Sequence, residues 1–146
     1  MKILFICHAN VCRSFMAQEI LKHILPQAEV FSRGMYVDSE IAVPEKVRAF
    51  LLKQGLSPVS HQPKQLSAAD LETADFVFCM EPEHLDRLCD HYAQYMDKMW
   101  LLNDFVYGKE TALEDPIGLS GSAFEKQAEL LHKTVVACAK KLLQKE

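Results

Sequence analysis

Two hydrophobic patterns alternate along this chain and predict its architecture. Short, mostly apolar runs are typical of strands buried in a parallel sheet, and they lie at residues 3–6, 29–32, 76–80 and 99–102. Apolar residues at the spacing of one helical face lie within 17–24, 47–51 and 124–142. Strands alternating with helices predict an α/β fold of three layers, a doubly wound, mostly parallel four-stranded sheet with helices on both faces.

Proline and glycine residues mark the predicted helix ends. Pro26 stops the first helix, Pro44 opens the second and Gly55 ends it, because proline cannot continue a helix and glycine favours its C-terminal end. A further helix is expected from about Pro82 to Asp90. Neither a repeat nor a linker divides the chain, so we expect residues 1–146 to form a single domain.

Composition narrows the class of function. The net charge of −4 argues against nucleic-acid binding, which needs a basic face. Since no apolar run approaches the roughly 20 residues that span a bilayer, we expect no membrane partner. The five cysteines are odd in number and form no CxxC pair, and the apolar start is too short for a signal peptide. We therefore expect a cytoplasmic protein with reduced thiols, no metal and no cofactor, and we favour a monomer.

The segment from Cys7 to Ser14 is the strongest candidate site. It follows the first predicted strand and opens the first helix, and ligands of open α/β sheets bind at the carboxyl ends of strands. Backbone N–H groups in such a loop, together with a helix N-terminus, form an anion cradle of phosphate size. The same cradle stabilises a thiolate at Cys7 and makes it a nucleophile, while Arg13 can bind two phosphate oxygens. The Ser14 hydroxyl is placed to donate to the Cys7 sulfur. A buried cysteine and a solvated arginine are the ordinary alternative.

Five segments in the same order resemble the low-molecular-weight protein tyrosine phosphatases. The family loop Cys-x-Gly-Asn-x-Cys-Arg-Ser-Pro resembles residues 7–15, and the family's Ser-Ala-Gly resembles Ser32-Arg33-Gly34. The remaining three resemblances are at residues 61–64, 74–80 and 115–116. The resemblance covers essentially the whole chain and implies hydrolysis of phosphotyrosine on a phosphorylated protein through a phosphocysteine intermediate.

The resemblance also implies roles for individual residues. Asn10 is expected to adopt a left-handed conformation, which asparagine tolerates well, and Ser32 and His61 are expected to hold it by hydrogen bonds. Asp115 is expected to be the general acid and then the general base, because a tyrosine oxygen with a pKa near 10 leaves far better when protonated. In the family, the cysteine at the position of Cys12 can form a reversible disulfide with the nucleophile, here Cys7. A small residue that packs at the helix start is the ordinary alternative for Cys12, and the two remain open.

The rest of the expected substrate site includes several departures from the family. Ala9 replaces glycine, which would cost roughly 1 kcal/mol at a positive φ. Phe15 replaces proline, and Ile117 stands where the family commonly has an aromatic wall residue. We expect Tyr36 to supply part of the opposite wall and His8 to lie at the rim.

Three alternative functions remain open, and the side chain at position 11 helps to decide the first of them. Phosphoarginine hydrolysis needs an acceptor near the cradle for guanidinium N–H groups, and Val11 offers none, so phosphotyrosine is favoured. A thioredoxin-coupled arsenate reductase would need a shuttle cysteine, for which Cys89 is the candidate. An anion-binding adaptor without catalysis is the third.

Overall fold

The chain folds around one parallel sheet. The computed structural model describes residues 1–58 and 60–145. The strands are β1 (Lys2–Cys7), β2 (Glu29–Gly34), β3 (Phe76–Cys79) and β4 (Met99–Leu101). They lie in the order β2-β1-β3-β4, and each neighbouring pair is parallel. The predicted four-stranded sheet is confirmed.

Six α-helices connect and cover the strands. They are α1 (Arg13–Ile24), α2 (Glu45–Lys53), α3 (Ala68–Thr73), α4 (Pro82–His91), α5 (Leu102–Tyr107) and α6 (Gly121–Gln144). Turns of 3₁₀-helix occupy Ala93–Lys98 and Pro116–Gly118. Within the described residues, no helix combines the length and the apolar character that crossing a membrane would require.

Alternation along β1 divides the hydrophobic core into two layers. Ile3 and Phe5 belong to the larger cluster, which also contains buried residues of α1, α2, α5 and α6. Leu4 and Ile6 belong to a smaller cluster with buried residues of α3 and α4. Side chains alternate between the two faces of a strand, and both faces of this strand are buried. The three-layer prediction is therefore confirmed.

Two helices were missed from the hydrophobic pattern because each has only six residues. The helix α3 buries one residue, Leu71, and its sequence signal is the capping box between Ser67 and Asp70. The helix α5 begins at Leu102, which was predicted to end the fourth strand, and Gly108 caps it with a φ of 68°. Short amphipathic segments show too few repeats for periodicity to identify them.

The sheet places a topological switch point at the end of β1. The chain continues from β1 to β2 on one side, and β3 lies on the other. The two crossover connections diverge there and leave a crevice at the carboxyl end of β1. The loop from His8 to Cys12 occupies this position, between the end of β1 and the start of α1.

Candidate active site

Asn10 shapes the loop between β1 and α1. It has a φ of 61°, and its side chain is fully buried. Its Nδ2 donates to Ser14 Oγ at 2.8 Å and to Ser32 Oγ at 2.9 Å, and its Oδ1 accepts from the Lys64 backbone N–H at 3.0 Å. His61 Nε2 lies 2.8 Å from the Asn10 carbonyl oxygen. The left-handed conformation and the contacts with Ser32 and His61 agree with the resemblance.

Two side chains support these contacts in a way that the sequence analysis did not predict. The Ser32 hydroxyl donates to Gln18 Oε1 at 2.7 Å, which leaves its lone pairs for Asn10. Phe15 is buried and stacks on His61 with ring centroids 4.2 Å apart. Phe15 therefore does more than replace a proline, because it orients the ring that holds Asn10.

The expected strain at Ala9 does not arise. Among the described non-glycine residues, only Asn10 has a positive φ. The position that requires a glycine is Gly34, where the backbone lies close to the loop. An added Cβ there would lie 3.0 Å from the Ala9 carbonyl carbon and 2.7 Å from Val37 Cγ2. A glycine is required there because the end of β2 passes directly under the loop.

Cys7 is the last residue of β1, and its thiol is buried beneath the loop. Its Sγ lies 2.9 Å from Ser14 Oγ. The Asn10 amide already donates to that same oxygen, so the Ser14 proton is free to point at the sulfur. A hydroxyl oriented in this way stabilises a thiolate.

Arg13 is buried between acidic groups. Its Nη1 donates to the Leu113 carbonyl at 2.8 Å and to Glu81 Oε1 at 3.1 Å, and its Nη2 lies 3.5 Å from Asp115 Oδ2. The Arg13 side chain is only 2% exposed. Burying a guanidinium without partners is very costly, and these carboxylates offset the cost. The sequence did not identify Glu81, which lies just after β3 at the same edge of the sheet.

Asp115 stands at the start of a tight turn. Its Oδ1 accepts from the Ile117 backbone N–H at 3.1 Å, and Pro116 begins the 3₁₀ turn. The other carboxylate oxygen faces Arg13. The carboxylate is 36% exposed, so it is open to a ligand from outside.

One cavity of about 210 Å³ brings most of the predicted site together. Its lining residues are Cys7, His8, Ala9, Val11, Cys12, Arg13, Ile41, Asp115 and Ile117. Ile41 was missed because it lies in an irregular loop without a periodic pattern. At the cavity, α1 begins with Cys12 at its N-cap position and no side-chain cap, so its first N–H groups are available for an anion.

Tyr36 does not form the expected opposite wall. Its backbone N–H donates to the His8 carbonyl at 2.8 Å, but its hydroxyl accepts from Arg87 of α4. The Tyr36 ring lies beside His8, with centroids 5.0 Å apart, and lines a neighbouring groove. Ile41 is an apolar residue among those that line the cavity. His8 is exposed at the rim, as predicted.

Cys12 is the second cysteine that lines the cavity. Burial raises the pKa of its thiol, and the nearby Asp115 and Cys7 raise it further. The charges of Arg13 and Lys46 lower it in part. Cys12 is therefore a protonated thiol at neutral pH and a poor nucleophile beside Cys7.

The chemistry of this cavity is that of phosphate transfer to sulfur. A thiol lies at the end of a central strand, a guanidinium and free helix N–H groups can bind an oxyanion, and a carboxylate lies within reach of a leaving group. The fold and the site together define an α/β phosphatase of the cysteine-dependent type.

Comparisons with known proteins identify the family. The family model described as low molecular weight phosphotyrosine protein phosphatase matches residues 2–146, and the chain belongs to that family. A protein-arginine-phosphatase of Geobacillus stearothermophilus is 31% identical over 144 residues, covering 97% of this chain and 95% of that protein. The human low molecular weight phosphotyrosine protein phosphatase is 28% identical over 153 residues, covering 98% of this chain and 94% of that protein.

Solved structures agree with the family assignment. The low molecular weight protein tyrosine phosphatase from T. tengcongensis superposes with a TM-score of 0.88 at 31% identity, over 100% of this chain and 99% of that chain. The YwlE arginine phosphatase from Geobacillus stearothermophilus superposes with a TM-score of 0.90 at 28% identity, over 99% of this chain and 94% of that chain.

Proposed function

We propose that this protein hydrolyses phosphotyrosine on proteins through a phosphocysteine intermediate. The observation that carries the proposal is that Cys7, Arg13 and Asp115 line one cavity, together with apolar side chains. In the first step the Cys7 thiolate attacks phosphorus and the bond to the tyrosine oxygen breaks. Asp115 gives its proton to that oxygen, so tyrosine leaves as the neutral phenol.

The second step restores the enzyme. Asp115, now a carboxylate, takes a proton from a water molecule that attacks the phosphocysteine. The phosphorus–sulfur bond breaks, inorganic phosphate is released and the thiolate of Cys7 returns. The Ser14 hydroxyl, 2.9 Å from the sulfur, donates to it as negative charge develops there.

Arg13 and the loop amides bind the phosphoryl oxygens in both steps. The planar guanidinium matches two oxygens of the phosphoryl group. In the structure Arg13 contacts the carboxylates of Glu81 and Asp115. When the substrate binds, its phosphoryl oxygens replace one of these acidic partners of Arg13. Protonated Asp115 is the form that the first step requires.

The cavity walls favour a phenyl ring over a guanidinium. Val11 is buried in the wall, and the other apolar walls are Ile41 and Ile117. A phenyl ring packs against such side chains, whereas a phosphoarginine N–H group that faces them would remain unpaired at a cost of about 1–3 kcal/mol. Asp115 is the one acceptor among these lining residues outside the cradle.

The test compares kcat/KM for a phosphotyrosine peptide and a phosphoarginine peptide of the same sequence. We expect the wild type to prefer phosphotyrosine, and Val11→Thr to raise the relative activity on phosphoarginine because threonine adds an acceptor at constant size. Val11→Ala is the matched control for the change in shape. A wild type that prefers phosphoarginine contradicts the proposed substrate, and no turnover of either peptide points to an anion-binding adaptor.

The proposed chemistry also bears on the compartment. Cys7 must remain a free thiolate, which a reducing compartment such as the cytoplasm maintains. The cysteines at 7, 12, 79, 89 and 138 are all free in the structure.

A further inference from the structure

Lys46 connects helix α2 to the loop that carries Asp115. Its Nζ donates to the carbonyl oxygen of Ile117 and, at 2.6 Å, to that of Leu119. These carbonyls lie two and four residues beyond Asp115, on either side of Gly118, where the 3₁₀ turn ends. The ammonium also lies 5.2 Å from the centre of the Phe124 ring on α6. No carboxylate among the described residues forms an ion pair with Lys46, so its donors serve the loop.

Few other hydrogen bonds join this loop to the rest of the described chain. Before it, the Leu113 N–H is anchored to the Met80 carbonyl at 2.9 Å. Within it, the Leu119 N–H donates to the Pro116 carbonyl at 2.9 Å, which closes the turn on itself. For residues 114–120, the side-chain hydrogen bonds from other elements of the described chain come from Lys46 and Arg13.

Substrate binding affects these two restraints differently. Arg13 is 3.5 Å from Asp115, but the proposed mechanism uses the same guanidinium to bind phosphate. Its contact with Asp115 is therefore weakened when the phosphoester enters. The bonds of Lys46 go to backbone carbonyls that take no part in phosphate binding, and they persist in the complex.

We propose that Lys46 is a positioning residue that holds the Asp115 loop at the cavity and thereby sets the efficiency of proton transfer to the leaving group. This inference rests on the proposed function, because it acts through the acid role of Asp115. Because Lys46 bonds to backbone carbonyls of the loop, it holds the Asp115 carboxyl group in place without forming an ion pair with it. A displacement of about 1 Å at such a group can lower a rate substantially.

The test uses aryl phosphates whose leaving groups range from acidic nitrophenols to weakly acidic phenols. Lys46→Met keeps the aliphatic stem and removes the donors, and Lys46→Arg restores donors to the carbonyls. Lys53→Met is the matched control, since Lys53 lies on the same helix and pairs with Glu125 of α6 at 2.6 Å. Inhibition by vanadate and thermal unfolding report on the cradle and on folding.

We expect Lys46→Met to lower kcat/KM, which reports the step in which the phenol leaves, by about 10-fold to 100-fold for weakly acidic phenols and much less for nitrophenols. Vanadate affinity should stay within about 2-fold, because the backbone N–H groups and Arg13 that bind the anion are unchanged. Lys46→Arg should recover most of the loss, and Lys53→Met should behave as wild type. An equal loss for all leaving groups, or no loss, overturns the inference.

A double variant separates this inference from the proposed function. In the Asp115→Asn background, Lys46→Met should cause no further loss, because the two residues act as one unit. The same fold-loss in both backgrounds would show that Lys46 acts elsewhere and would overturn the inference alone. Asp115→Asn by itself tests the acid: a loss equal for good and poor leaving groups removes the acid assignment and this inference with it.

Discussion

The ring of Phe15 stacks on the imidazole of His61, with the two planes inclined by 17°. The imidazole Nε2 faces the carbonyl oxygen of Asn10, which can only accept, so the proton lies on Nε2. Phe15, at the start of α1, thus orients the His61 ring, and His61 in turn holds Asn10 in its left-handed conformation. This stack links the hydrophobic core to the shape of the anion cradle.

Replacing Phe15 should therefore affect binding as well as stability. Phe15→Leu is expected to lower the free energy of unfolding by about 1–2 kcal/mol through lost packing and stacking. It should also weaken inhibition by phosphate, because His61 loses its orientation. Phe50→Leu is the matched control, a buried phenylalanine of the same core cluster on α2. Urea unfolding and phosphate inhibition would be measured for both, and equal phosphate inhibition in the two variants would contradict the link.

Mild acid should destabilise the protein through His61. Burial lowers the pKa of His61, against the opposing hydrogen bond to Asn10 and the charge of Glu19, while Lys22 and Arg33 lower it further. The unfolded chain then binds more protons than the folded one. The contribution of His61 is fully present above about pH 6.5 and is lost as the pH falls through its folded value.

His61→Gln keeps an N–H donor that does not titrate, so its unfolding free energy should depend less on pH between 7.5 and 5.5 than that of the wild type. His23→Gln, at an exposed position of α1, is the control and should keep the wild-type dependence. Identical pH dependence in all three proteins would contradict the assignment.

Gly34 should tolerate no side chain. Gly34→Ala places a Cβ against the carbonyl carbon of Ala9 and the side chain of Val37, so the loop must shift. We expect a loss of about 1–3 kcal/mol of stability and weaker phosphate inhibition. Gly118→Ala is the stability control, because nothing lies within 4 Å of its added Cβ. If both alanine variants unfold at the same urea concentration, the close approach has no energetic weight.

Cys12 should make oxidation by peroxide reversible. Peroxide oxidises the Cys7 thiolate to a sulfenic acid, and attack by the Cys12 sulfur expels water and forms a disulfide. Burial raises the pKa of Cys12, so this attack should be slow at neutral pH and faster at alkaline pH. Activity recovered with dithiothreitol would be measured after brief peroxide treatment. Recovery should fall sharply in Cys12→Ser, and equal recovery in wild type and variant would refute the disulfide.

Hydrophobic periodicity predicted the sheet and the long helices because each of them buries several side chains. The run 3–6 is buried on both faces of β1, and the predicted positions of α6 are all buried, namely Phe124, Ala128, Leu131, Val135 and Leu142. Such patterns depend on local spacing alone, which a sequence displays directly.

The site residues that could not be predicted from the sequence are those whose contacts join distant parts of the chain. Glu81 reaches Arg13 across 68 positions, and Lys46 reaches Ile117 across 71. Neither residue belongs to a local pattern, and each has the ordinary appearance of a charged surface residue. Tyr36 lines a neighbouring groove, and its hydroxyl contacts Arg87 on α4, 51 positions away in the sequence. Only the fold brings such pairs together.

The proposed mechanism depends above all on Cys7 as the nucleophile, and the variant Cys7→Ser tests this assignment most directly. Turnover of a phosphotyrosine peptide and binding of vanadate would be measured for the wild type, for Cys7→Ser and for Cys89→Ser as a cysteine control on α4. We predict that Cys7→Ser loses turnover, because serine at its free pKa is a poor nucleophile, yet still binds vanadate through the backbone cradle and Arg13. Cys89→Ser should turn over as the wild type does. Near wild-type turnover by purified Cys7→Ser would contradict the mechanism.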